Sequence, residues 1–237
     1  MERGKNKIKL IEWGVVGCFI LIQVYLVFMN KHLTMDIDAA PNAQPTPYIM
    51  GEREIGQTFI AARDNLSRIE VMMGTFSREN YQNVIFKLGI PNKKVILRKV
   101  FNASEVKNNL YHAVNFSPQK DSKGKRYYFS FSSPRSTLGD SICAWSNPRD
   151  IYRRGEYFLN RNTPGGDLVF RTYSFQPVSA ILGKINKNYP GIWGSPAVLI
   201  LTMIFFVVME VLVLFKLLDL GYQYLSGILM KKEDARV

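Results

Sequence analysis

The chain is poor in the residues that usually carry chemistry. It has two cysteines and two histidines in 237 residues. Cys18 lies in an apolar run near the start and Cys143 stands alone in the middle, so no disulfide can staple the central region. That region must be held by its own core, and a domain of this size without bridges points to a bacterial source. No pair of His or Cys has metal-ligand spacing, which argues against a zinc centre. Calcium stays open only through Asp121, Asp140 and Asp167 at the ends of candidate strands, and the expectation is no resident metal or cofactor. No G-x-S-x-G string occurs, and His32 and His112 sit outside any catalytic pattern, so nucleophilic hydrolysis has no signature and a non-enzymatic role is expected.

Charge of one sign is also scarce. There are 19 Asp and Glu against 31 Lys and Arg, a formal net charge of +12. Residues 31 to 190 hold 23 of the cations and 13 of the acids, so the central region is itself basic. A basic surface suits anionic glycans, anionic lipid headgroups or an acidic protein. Nucleic acid is excluded as a partner by the topology argued next.

Long charge-free runs are confined to the two ends. Trp13 to Met29 carries no formal charge, and Ile192 to Phe215 carries only Glu210. The second run would make roughly 36 Å of helix against a hydrocarbon core of about 30 Å. Arg3, Lys5, Lys7 and Lys9 flank the first run and Lys216, Lys231, Lys232 and Arg236 the second, the bias that keeps those flanks in the cytoplasm. The apolar core of the first run exceeds the 7 to 15 residues of a cleaved leader, which makes it a signal anchor. The expected order is a cytoplasmic N-terminus (1–10), a first transmembrane helix (11–30), a linker (31–53), a folded domain (54–176), a connector (177–191), a second transmembrane helix (192–216) and a cytoplasmic tail (217–237). Both termini then lie in the cytoplasm of an inner-membrane protein, with the domain on the far side.

Glu210 is costly inside hydrocarbon and needs a partner. Gln23 falls toward the opposite face of the bilayer, so the expected partner is a residue of another subunit.

Within the middle, apolar residues recur at every second position. Ile69, Val71 and Met73 form one such set; Val84, Phe86 and Leu88 a second; Tyr127, Phe129 and Phe131 a third. Further candidates are Ile55 to Ala61, Lys94 to Val100, Tyr111 to Phe116, Gly139 to Trp145, Glu156 to Leu159 and Asp167 to Phe175, about nine strands in all. Turn residues fall between them, at Asp64-Asn65, Pro91-Asn92, Asp121 to Gly124 and Pro164 to Gly166. The fold expected is mainly β: an antiparallel jelly-roll or immunoglobulin-like sandwich flanked by two transmembrane helices. Ala103 to Asn109 and Val178 to Asn186 are the local helix candidates.

Two groups of side chains suggest binding. Trp145, Tyr152 and Tyr157, with Arg149, Arg153 and Arg154, combine rings for stacking on a sugar with guanidinium groups for its carboxylates or phosphates. Lys120, Lys123, Lys125 and Arg126 form a basic turn that would meet anionic headgroups if it faced the bilayer.

The strings Gly51 to Met73, Ser117 to Phe131, Asp150 to Asn160 and Gly165 to Phe175 together resemble an extracytoplasmic, carbohydrate-binding-like β-sandwich of bacterial membrane proteins. That domain is associated with membrane glycosyltransferases and surface-polysaccharide biogenesis. The resemblance implies a glycan- or partner-binding module, here an accessory subunit of a polytopic glycosyltransferase or transporter, and brings no catalytic residues. A chain-length regulator of polysaccharide export shares the two-span topology but has a long helical hairpin in its middle; a sensor or receptor subunit is the other alternative.

Overall fold

The computed structural model describes residues 13–23, 25, 30–39, 44–160, 162–177, 180 and 196–234. The chain divides into two compact units, one made of residues 32–176 and the other of the two ends.

The first unit is a sandwich of two antiparallel sheets. Its strands are β1 (Lys31–Ala39), β2 (Gln44–Pro45), β3 (Glu54–Ile60), β4 (Leu66–Gly74), β5 (Asn83–Gly89), β6 (Val95–Asn102), β7 (Leu110–Gln119), β8 (Arg126–Ser132), β9 (Cys143–Asn147), β10 (Tyr157–Leu159), β11 (Asp167–Leu168) and β12 (Phe170–Pro177). One sheet has five strands in the order β10-β3-β8-β5-β6. The other has seven: β1-β12-β4-β9-β11 as its path, with β7 on the free edge of β4 and β2 beside β9. Successive strands keep changing sheets, as from β3 to β4, β4 to β5 and β6 to β9 one step at a time. Hairpin β5–β6 instead stays within one sheet, closed by Pro91-Asn92 with Asn92 at φ 59°.

Alternation explains the core. Ile55 and Phe59 of β3, Val84, Phe86 and Leu88 of β5, and Tyr127, Phe129 and Phe131 of β8 point inward from the five-stranded sheet. Ile69, Val71 and Met73 of β4 and Phe170 of β12 meet them from the other. Phe170 joins the layers, with its ring centroid 6.1 Å from Phe59 and 5.5 Å from Phe129. At one open side the sheets are closed by Phe101 of β6 stacked on His112 of β7 at 4.2 Å. A second tie is polar and buried: Gln57 Nε2 donates to Asp167 Oδ1 (2.9 Å) and Gln57 Oε1 accepts from Leu168 N–H (2.9 Å).

Every strand candidate between 54 and 176 is found, with two changes. Gly139 to Trp145 opens as a 3-10 turn over Leu138–Asp140 before β9 begins, and Asp167 to Phe175 breaks at Val169 into β11 and β12, which pair with different strands. Ala103 to Asn109 is helical only as a 3-10 turn over Ala103–Glu105, where Asn102 and Glu105 form a capping box. Val178 to Asn186 lies, apart from Ala180, outside the described residues.

The linker expected at 31–53 is corrected. Residues 31–39 form β1, hydrogen-bonded beside β12, and Ile49 bridges to Ile142. The prolines responsible for that expectation begin only at Pro41, after the strand. Before them Ile37 and Ala39 alternate with Asp36 and Asp38 and are buried, while Asp36 pairs with Arg63 at 3.2 Å and Asp38 with Arg171 at 2.9 Å. Ser174 donates to Asp36 as well.

In the second unit, helix α1 (Trp13–Gln23) is too short to count as a span by itself, and the rest of the first apolar run falls mostly outside the described residues. Helix α2 (Pro196–Asp234) is long, and its segment Leu201–Tyr224 is apolar enough over 24 residues to cross a membrane. Among the described residues it is the one helix that meets this description, where two were expected. The tail expected from residue 217 is helical through Asp234, because no proline follows Pro196 to stop the helix.

Trp13 packs edge-on against Phe215 at 5.4 Å, and Gln23 Nε2 donates to Glu210 Oε2 at 3.5 Å. These contacts make α1 and α2 antiparallel neighbours. Glu210 therefore has a hydrogen-bond donor within the chain, and the separation of Gln23 from Glu210 inferred from sequence depth does not hold.

Candidate functional site

A candidate binding surface lies on the outer face of the five-stranded sheet. In β3, alternation sends Ile55, Gln57 and Phe59 inward and leaves Glu54, Gly56, Thr58 and Ile60 on the outside. Strand β8 presents Tyr128, and β5 presents Lys87 and Gly89. Two glycines let aromatic rings lie down on this face. A Cβ on Gly56 would stand 2.3 Å from Phe158 Cζ, and one on Gly89 would stand 2.6 Å from Tyr128 Cε1. Each ring therefore occupies the space that any other residue would fill. The two rings meet edge to face at 6.3 Å.

Beside them opens a cleft of about 390 Å³, lined by Glu54, Thr58, Lys87, Pro91, Asn92, Lys93, Val95, Tyr128 and Phe158. Its polar groups are held in place. Lys87 Nζ lies 3.0 Å from Glu54 Oε1, and Ser130 Oγ donates to the same oxygen at 2.6 Å. The Glu54 backbone N–H is bound by Asn160 Oδ1 at 2.7 Å, fixing the start of β3. Lys93 and Asn92 stand exposed at the rim. Ring faces flanked by a carboxylate, an ammonium and an amide offer apolar contact and directional hydrogen bonds together, which is what a sugar ring requires.

The residues singled out in the sequence lie elsewhere. Trp145 is half-buried in β9 of the other sheet and donates to Asn109 Oδ1 at 3.1 Å. Tyr157 is 5% exposed and faces the core. Tyr152 packs edge-on against Phe170 at 5.6 Å, while its hydroxyl both accepts from Ile60 N–H and donates to Ile60 C=O at 3.1 Å. Burial pushes that hydroxyl above its ordinary range. Tyr152 and Tyr157 therefore serve the sandwich interior instead of an exposed platform, and with Trp145 across the fold the group does not form one stacking surface. Arg149, Arg153 and Arg154 are exposed on the segment between β9 and β10. Arg154 and Arg126 both act electrostatically on the Tyr152 hydroxyl, so one member of each expected group reaches a common neighbourhood. Lys120, Lys123, Lys125 and Arg126 are exposed around the β7–β8 turn.

Burial accounts for the remaining reactive groups. His112, stacked on Phe101, has its pKa lowered by desolvation. The Cys143 thiol is pushed up to about 11 by burial, which leaves it protonated and inert at neutral pH. Asp167 is raised by burial, against hydrogen bonds from Tyr152 N–H and Gln57. Asp140 Oδ1 accepts from Tyr81 N–H and Asp121 sits in the β7–β8 turn, so the three aspartates do not converge. Among the described residues no group of three His, Cys, Asp or Glu is placed to hold a metal.

Sequence reasoning missed Glu54, Lys87, Tyr128 and Phe158. The signal that could have found them is an aromatic at an outward strand position whose neighbouring strand carries glycine on the same face. The chain matches no protein-family model and no curated protein.

Proposed function

We propose that this is a membrane-anchored, non-enzymatic protein whose sandwich, wound as a jelly roll on the non-cytoplasmic side of the inner membrane, binds a glycan on the outer face of its five-stranded sheet. The observation that carries this reading is the cleft with Tyr128 and Phe158 laid over Gly89 and Gly56 and Glu54 held by Lys87 and Ser130 on the same sheet. Lys87 and Lys93 at the cleft favour a sugar bearing carboxylate or phosphate.

The anchor rests on the Leu201–Tyr224 segment and on the antiparallel contacts of α1 with α2, which suit a pair of spans with both termini in the cytoplasm. A membrane-anchored protein that carries a binding module fits an accessory subunit of a polytopic glycosyltransferase or transporter in envelope polysaccharide biogenesis. The co-polymerase alternative is disfavoured because the described residues from 32 to 176 contain strands and two 3-10 turns where it has a long helical hairpin.

The test is calorimetric titration of the full chain in nanodiscs with neutral and acidic oligosaccharides. Binding of an acidic glycan by the native chain, abolished in Tyr128→Ala, supports the reading. Equal heats from the native chain and Tyr128→Ala refute it.

A further inference from the structure

The β7–β8 connection is basic, rigid and placed at one defined end of the sandwich. Lys120, Lys123, Lys125 and Arg126 are all exposed, and none forms an ion pair among the described residues. The carboxylates nearby are Asp121, exposed in the same turn, and Asp64, whose Oδ1 accepts from Lys123 N–H at 2.9 Å. Arg63 in the neighbouring loop is already engaged with Asp36.

A basic turn is usually a solvated, mobile tip. Here the backbone is bonded on both sides to the β3–β4 loop. Gly124 N–H donates to Ala61 C=O at 2.8 Å and Ala61 N–H to Lys125 C=O at 3.0 Å, while buried Ser122 Oγ donates to Arg63 C=O and accepts from Leu66 N–H. The cations are therefore presented from a fixed frame, and little ordering entropy is lost when they engage a surface.

This is also the end at which the chain enters and leaves the sandwich. Phe175 N–H donates to Asn65 C=O at 3.1 Å and Gln176 Nε2 to Asp64 C=O at 2.8 Å, so the last residues of β12 abut the same loop. Strand β1 lies beside β12 with Asp38 against Arg171 and Asp36 against Ser174, a sequence of contacts that runs antiparallel and brings the start of β1 to this end.

We propose that this end, carrying Lys120, Lys123, Lys125 and Arg126, binds the anionic headgroups of a phospholipid surface. The proposal rests on the membrane-anchored reading above and is independent of any glycan. Attraction of a cation to an anionic lipid surface corresponds to about fivefold in binding per residue and fades within a screening length. Lipid is favoured over a soluble anion because the four cations are all exposed and spread along one turn, as contact with an extended anionic surface requires.

The test is amine footprinting of the full chain in nanodiscs with and without phosphatidylglycerol, read by peptide mass spectrometry. Lys120, Lys123 and Lys125 are expected to react several-fold more slowly in the anionic discs, with Lys94 and Lys107 unchanged. The protection should vanish in about 1 M salt, where the screening length is about 3 Å. In Arg126→Glu the remaining protection of the three lysines should fall. Equal labelling in both discs, with the chain inserted, overturns this proposal alone. Equal protection by inorganic phosphate in neutral discs overturns it in favour of a small-anion site. A chain that does not co-elute with discs of either kind fails earlier, at the membrane-anchored reading itself.

Discussion

Replacing Gln57 with leucine tests the polar tie that joins the two sheets. Gln57 is 0% exposed and Asp167 1%. The amide donates to Asp167 Oδ1 and to Thr58 C=O, and its oxygen accepts from Leu168 N–H. Leucine fills similar space but strands the Leu168 N–H and one Asp167 oxygen. Each buried group left without a partner costs about 1–3 kcal/mol, more when charged, so Gln57→Leu should lose about 3–6 kcal/mol. That is a large share of the 5–15 kcal/mol typical of a folded domain. The loss should also depend on pH. Burial already raises the Asp167 pKa above its ordinary 3.8, and removing a donor to the carboxylate raises it further. A raised pKa gives stability that is fully present below the unfolded value and lost as pH rises through the folded one. The deficit of Gln57→Leu should thus be largest at neutral pH and shrink as pH falls toward 3.8. Urea unfolding of the full chain in nanodiscs, followed by the sheet signal in circular dichroism, measures both effects. A deficit below about 1 kcal/mol, or one that does not change with pH, would refute the reasoning.

Four further outcomes are expected. Phe158→Ala should weaken acidic-glycan binding by about tenfold, the scale of one aromatic contact, while the sheet signal persists; Gly89→Ala should weaken binding as well, because its new Cβ stands 2.6 Å from the Tyr128 ring. At pH 7.5 the buried Cys143 thiol should react with a maleimide at least about 100-fold more slowly than a free thiol, because burial shields it and pushes its pKa from 9.0 to about 11, and reach normal rates only on unfolding. His112 has its pKa lowered by burial, so the stability it confers as a neutral ring is lost as pH falls below the ordinary 6.5; His112→Gln should flatten the acid limb of the stability profile in urea titrations, and an unchanged limb would count against the buried ring.

Strands were legible wherever one face is buried and the other wet. Buried Ile69, Val71 and Met73 alternate with part-exposed Arg68, Glu70 and Met72, and the turn at Pro91-Asn92 carries its own backbone preference. Strand β1 was not legible because its inward side chains end in two aspartates' neighbours, Ile37 and Ala39, and its acids find Arg63 and Arg171, which are 27 and 133 residues away in sequence. Long-range ion pairing leaves no local pattern. The cleft was hidden for a related reason. Tyr128 and Phe158 come from strands whose spacing is set by β3 between them, and their rings are placed by Gly56 and Gly89, which read in sequence only as small residues within strands. Density of Trp, Tyr and Arg between 145 and 157 drew attention to a segment whose tyrosines are consumed by the core.

The two outer faces of the sandwich differ in what they leave free. On the seven-stranded sheet Arg68 pairs with Glu70 at 3.2 Å, Tyr173 donates to Glu70 at 2.7 Å, and Arg171 pairs with Asp38 while lying 4.0 Å over the Tyr111 ring. A ligand there would have to break contacts that the surface already makes with itself, and each broken charge-assisted bond costs what the new one returns. On the five-stranded sheet the Glu54–Lys87 pair leaves the second carboxylate oxygen and the ring faces of Tyr128 and Phe158 open to the cleft, with Lys93 standing at its rim. The carboxylate and ammonium there are oriented in advance by Ser130 and by each other, so a sugar hydroxyl gains directed partners without displacing them. That asymmetry, more than the mere presence of aromatic residues, is why recognition is proposed for this face.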